Sequence, residues 1–139
     1  MRIKRIEIEN FRLLRDVALG LEERTTLIVG RNNSGKTSIA ELFRRLLSEK
    51  SPSFRIEDFS LGCHEHFWTA FEAFHAKQSV PDVIALLPSI KIVMDIAYDV
   101  DSPDFGPLSD CIIDLDPNCT DARLMLTFGP RPTAPDALF

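Results

Sequence analysis

Gly30-Arg31-Asn32-Asn33-Ser34-Gly35-Lys36-Thr37 decides the reading of this chain, because it satisfies the pattern G-x-x-x-x-G-K-[ST] in full. The residue types have a chemical reason. Backbone N–H groups that wrap a polyphosphate must be uncovered, which calls for small residues or for residues that tolerate positive φ. Asn33 meets the second condition. A helix following the loop turns its positive end toward the same anion. Lys36 can then reach the β- and γ-phosphates, while the Thr37 hydroxyl binds Mg²⁺. The candidate nucleotide contacts are therefore Gly30, Arg31, Asn32, Asn33, Ser34, Gly35, Lys36, Thr37 and the adjoining Ser38.

The flanks supply the context that the loop needs. Upstream, Thr26-Leu27-Ile28-Val29 is apolar enough for a central strand, which Gly30 ends. Downstream, from Ser38, the period becomes 3.6: Ile39, Leu42, Phe43, Leu46 and Leu47 share one face, and Glu41, Arg44 and Arg45 the other. This helix stops near Ser51-Pro52. Strand, glycine-rich loop and helix follow one another without a gap, which favours a phosphate site over an accidental glycine turn.

Further out, Ile6 and Ile8 alternate with Glu7 and Glu9, predicting a strand over residues 2–9. Residues 10–15 interrupt the alternation, and Val17, Leu19 and Leu21 resume it. Phe67, Ala70, Phe71 and Phe74 predict a second amphipathic helix over 64–77, with a brief helical turn at 83–87. Ile90, Ile92, Met94, Ile96, Tyr98 and Val100 lie on one face of a strand. Leu124, Leu126 and Phe128 mark another. Such one-sided patterns favour antiparallel pairing, with Met94 and Leu126 buried. Between these strands, Leu108, Cys111, Ile112 and Leu115 have helical spacing. The end, with Pro130, Pro132 and Pro135, reads as a frayed tail or a linker.

With 139 residues, 45% hydrophobic and 27% charged, the chain suits one globular domain. Cys63, Cys111 and Cys119 form no C-x-x-C pair and read as reduced thiols. No apolar run reaches a membrane span or a secretion signal, so the expected location is cytoplasmic. The net charge of -5 divides into +5 over residues 1–55 and -10 over 56–139. The acidic half would repel a nucleic-acid backbone, which argues against DNA binding by this chain alone.

The opening strand ending in Asn10-Phe11-Arg12, the second short strand, and then residues 27–38 together resemble the amino-terminal lobe of ABC-type ATPases of the SMC, RecF and OLD (overcoming lysogenization defect) groups. The Asn32-Asn33-Ser34 core is most similar to OLD-like members. The resemblance implies an α/β fold, a partial P-loop NTPase of ABC type with an antiparallel β-subdomain. Its parts would be a lobe over 1–129, divided into a strand–P-loop–helix core (1–50), a helical insert (51–88) and a β-subdomain (89–129), followed by a tail or linker over 130–139. It implies ATP and Mg²⁺ as cofactors and Arg12 near the nucleotide. Family members dimerise head to tail around ATP, often carry a nuclease domain, and in several cases act in defence against phage.

The parts needed for hydrolysis are not legible. No signature loop, no Asp-Glu-terminated Walker B strand and no downstream His of the ABC type appears, which suggests a fragment or truncated form that binds ATP without turning it over. Two apolar runs end in Asp, at Asp95 and Asp114, and a compact P-loop NTPase or kinase would use either as Walker B. A nucleotide-regulated interaction module is a third reading. Cys63-His64-Glu65-His66 lacks metal-ligand spacing, and Asp99, Asp101 and Asp104 lack the Gly and Glu of a calcium loop.

Overall fold

The computed structural model describes residues 1–48, 52–99 and 120–130. Its frame is four strands: β1 (Arg2–Phe11), β2 (Leu14–Gly20), β3 (Ile90–Ala97) and β4 (Asp121–Phe128). They form a single sheet in the order β2-β1-β3-β4, with every neighbouring pair antiparallel. Helix α1 (Lys36–Ser48) follows the glycine-rich loop. Helices α2 (His64–His75) and α3 (Val80–Leu86) precede β3, and short 3₁₀ turns occupy Ile56–Asp58 and Leu61–Cys63.

The alternation of the sequence sets the register. Ile6 and Ile8, both fully buried, pair with Met94 and Ile92 on β3 and with Leu19 and Val17 on β2. Beyond β3, Ile90, Ile92 and Met94 face Phe128, Leu126 and Leu124, so the expected antiparallel pairing is present. The core gathers Ile6, Ile8, Ile90 and Ile92 with Phe11, Leu14, Ile39, Leu42, Phe59 and Phe67. Ala70, Ala73 and Val83 form a smaller cluster between α2 and α3.

Several expectations are corrected. Residues 26–29 are not a strand: Leu27 and Val29 are 82% and 78% exposed, and no ladder or bridge among the described residues reaches them. A strand of that composition is stabilised by neighbours on both edges, and the described strands pair with one another instead. The predicted break at residues 10–15 shrinks to Arg12-Leu13, because Phe11 pairs with Leu14 and both are buried. Helix α1 is described as far as Ser48, residues 49–51 lying outside the described residues, and Leu47 is exposed rather than on the packed face. Met94 and Leu126 pack against the core but are only half-buried, Leu126 lying on an edge strand. Helix α2 stops at His75 and β3 at Ala97. The expected helix around Leu108–Leu115, Cys111, Cys119, Val100, Asp101, Asp104, Asp114 and the tail beyond Pro130 lie outside the described residues.

Candidate functional site

The loop has the backbone that its residue types anticipate. Asn33 and Gly35 sit in the left-handed region, at φ 63° and 88°, where Asn and Gly carry the least steric cost. The loop runs straight into α1, whose first turn is closed by the Ile39 N–H donating to the Gly35 carbonyl at 3.0 Å. The positive end of a 13-residue helix therefore opens onto the loop. Gly35 is buried, Lys36 half-buried, Thr37 exposed and Ser38 buried, while Arg31, Asn32, Asn33 and Ser34 are exposed.

Lys36 is turned back over its own loop. Its Nζ donates to the carbonyls of Gly30 (2.7 Å) and Arg31 (2.6 Å) and lies 3.4 Å from Ser34 Oγ. The ammonium is held by acceptors of its own loop, beside the exposed backbone, and carries the charge needed to meet phosphate oxygens. Gly30 admits no side chain without displacement, since a Cβ there would lie 2.7 Å from Ser34 Oγ.

Arg12 belongs to the β1–β2 turn, and that turn packs on the loop: a Cβ on Gly35 would stand 2.8 Å from Leu14 Cδ2 and 3.7 Å from Leu13 Cβ. Arg12 itself has φ 49° and Asn10 φ 64°, a concentration of left-handed non-glycine residues that costs of order 1 kcal/mol or more each. Two backbone bonds hold them: Arg12 N–H to the Asp58 carbonyl at 2.8 Å, and Ser60 N–H to the Asn10 carbonyl at 3.0 Å.

The Arg12 side chain donates from Nε (2.9 Å) and Nη2 (2.8 Å) to Asp58 Oδ1. Arg45, in the last turn of α1, reaches the same carboxylate through Nη1 to Oδ2 (2.6 Å) and Nη2 to Oδ1 (3.2 Å), and the Arg55 N–H adds a bond to Oδ2 at 3.0 Å. The Asp58 side chain is 5% exposed. Burial pushes its carboxyl up, but the bonds from Arg45, Arg55 N–H and Arg12 outweigh this and hold it below the ordinary range. Glu41 anchors the other side of the network, accepting from Arg44 and Arg45, and these bonds lower its pKa to about 2. Asp58 and Arg45 were absent from the candidates drawn from the sequence. Asp58 sits in a 3₁₀ turn within a stretch that carries no periodicity, and Arg45 reads as a solvent-face residue of α1.

Asp95 stands elsewhere. It lies opposite Arg5 in the β1–β3 ladder, six residues from the Phe11 end of β1, or roughly 20 Å along the strand. Its carboxylate is engaged by Arg123 at 2.7 and 3.2 Å, and those bonds hold its pKa down. This position is remote from the turn that packs on the loop. Among the described residues, no group of three or more His, Cys, Asp or Glu is placed so that it could hold a metal ion. Cys63 is a buried free thiol, and no helix among the described residues is long and apolar enough to cross a membrane.

A family model described as an AAA ATPase domain matches residues 1–104. No curated protein matches the chain.

Proposed function

The chain belongs to the AAA ATPase domain family, and from that premise we propose that it binds ATP with Mg²⁺ at the loop of residues 30–37. The observation that carries the reading is the continuity of a left-handed Asn33 and Gly35 with the N-terminus of α1, with Lys36 held over the loop. In this reading Lys36 exchanges its carbonyl partners for phosphate oxygens, and Thr37, exposed at the first turn of α1, supplies a hydroxyl to Mg²⁺. Gly30, Arg31, Asn32, Asn33, Ser34, Gly35 and Ser38 present backbone N–H groups and hydroxyls to the anion. Arg12, in the turn that packs on Gly35, adds a second cation to the same side.

The finer reading is an OLD-like, ABC-type lobe over residues 1–129, supported by the Asn32-Asn33-Ser34 core and by antiparallel strands beside the loop. The complete machine would be a head-to-tail dimer whose ATP hydrolysis controls a nuclease or another effector, as in antiphage defence. Hydrolysis also requires groups that place the attacking water and stabilise the transition state. Asp95 lies toward the end of β3 away from the loop and Asp114 lies outside the described residues, and the expected outcome for the chain alone is ATP binding with negligible turnover.

Equilibrium dialysis with radiolabelled ATP, followed by single-turnover phosphate release, tests both parts. Retention of ATP that requires Mg²⁺, with no phosphate release, is expected. Turnover that disappears in Asp95→Asn would overturn the placement of this chain as a binding lobe.

A further inference from the structure

Asp58 gathers two elements that both bear on the phosphate loop. The β1–β2 turn touches the loop at Gly35, and α1 begins with the loop's own Lys36. Arg12 comes from the first and Arg45 from the second, and one buried carboxylate accepts from both. Its main-chain carbonyl also accepts from the Arg12 N–H, so a single residue fixes the backbone and the side chain of Arg12.

Stability is a weak reason for such a group. A buried carboxylate between two guanidiniums loses hydration that its partners repay only in part, and an apolar replacement of the whole cluster is often neutral. What the arrangement does supply is direction. It holds a guanidinium at a fixed angle on a backbone of unfavourable φ, a form of strain that is concentrated at ligand clamps and switch regions. Arg45 is shared between Asp58 and Glu41, whereas Arg12 is held by Asp58, and the Arg12 side chain is 35% exposed. Of the two guanidiniums on Asp58, Arg12 is the one that reaches solvent, the Arg45 side chain being 14% exposed.

We propose that Asp58 is a positioning residue for nucleotide binding, one that orients the Arg12 guanidinium toward the phosphates and locks the β1–β2 turn to α1 through Arg45. This rests on the reading of residues 30–37 as an ATP site. Asp58 acts through Arg12 and touches no nucleotide atom itself.

A double-mutant cycle on the 139-residue chain tests it, using calorimetric Mg-ATP affinity together with melting temperature for the parent, Arg12→Ala, Asp58→Asn and the double variant. Each single change should weaken binding about tenfold, the size of one charge-assisted hydrogen bond. The double variant should be no weaker than either, because the two act as one unit. Melting temperature should fall further with Asp58→Asn than with Arg12→Ala, since only the former removes the carboxylate that joins Arg45 to the β1–β2 turn and leaves Arg45 with Glu41 as its charged partner. If Asp58→Asn lowers affinity by the same factor in the R12A background as in the parent, or leaves affinity unchanged, the positioning role is overturned. A parent chain that binds no ATP would instead overturn the site itself. Should Asp58→Asn not fold, the Arg12 Nε–H resonance of the parent decides. Slow solvent exchange retained in the Mg-ATP complex, with a shift on titration, supports the proposal, and fast exchange or no shift overturns it.

Discussion

Gly35 lies against Leu14 so closely that a Cβ on the glycine would stand 2.8 Å from the leucine Cδ2. Leu14 is 2% exposed and packed in the core, so it has little room to yield. This contact joins the phosphate loop to the β1–β2 turn.

Gly35→Ala should therefore destabilise the fold by about 1–3 kcal/mol, from the left-handed φ and the collision together, and should abolish ATP binding. Gly20→Ala is the control. Nothing lies within 4 Å of a Cβ at Gly20, so a change of no more than about 0.5 kcal/mol is expected. Urea denaturation of the two variants gives the comparison, and equal stability losses would contradict the packing described.

Ile92→Asp should cost about 3 kcal/mol or more, because it places an unpaired carboxylate at a fully buried position between β1 and β4. Met94→Asp, two residues along the same face but only half-buried, should cost less. The order of the two denaturation midpoints checks the register, and a reversed order would contradict it.

Acid should weaken the fold through Asp58 and Glu41. Both carboxyls have lowered folded pKa values, so their stabilisation is fully present above the ordinary values of 3.8 and 4.5 and is lost as pH falls through the folded ones. Melting temperature should decline between about pH 5 and 2. In Asp58→Asn that decline should be shallower. A parent chain that gains stability over this range would contradict the ion-paired network.

Thr37→Ala should chiefly reduce the dependence of ATP binding on Mg²⁺, since the exposed hydroxyl contributes to the metal rather than to the core. Equal losses with and without Mg²⁺ in equilibrium dialysis would remove Thr37 from that role.

The sequence made the loop legible because its constraints are local. Asn33 and Gly35 are chosen by φ, Lys36 by charge, and the 3.6 period begins at once in α1. The pairing of β3 with β4 was legible for a similar reason, since alternation marks a half-buried strand directly. Residues 26–29 were misread because a continuous apolar run reports what a strand could bury and not whether neighbours are present to bury it. Asp58 was invisible for a different reason. Its partners Arg12 and Arg45 lie 46 and 13 residues away, and no spacing rule links them.

Nucleotide binding by the loop of residues 30–37 is tested most sharply by isothermal titration of Mg-ATP into the parent chain and into Lys36→Ala. Lys36 makes its bonds to exposed loop carbonyls and contributes little to the core, so the variant should melt close to the parent. The parent should show saturable one-site binding, and the folded variant a loss of at least about tenfold, the weight of a charge-assisted contact to phosphate. Equal affinities in two folded proteins, or no binding by the parent, would contradict nucleotide binding by this loop.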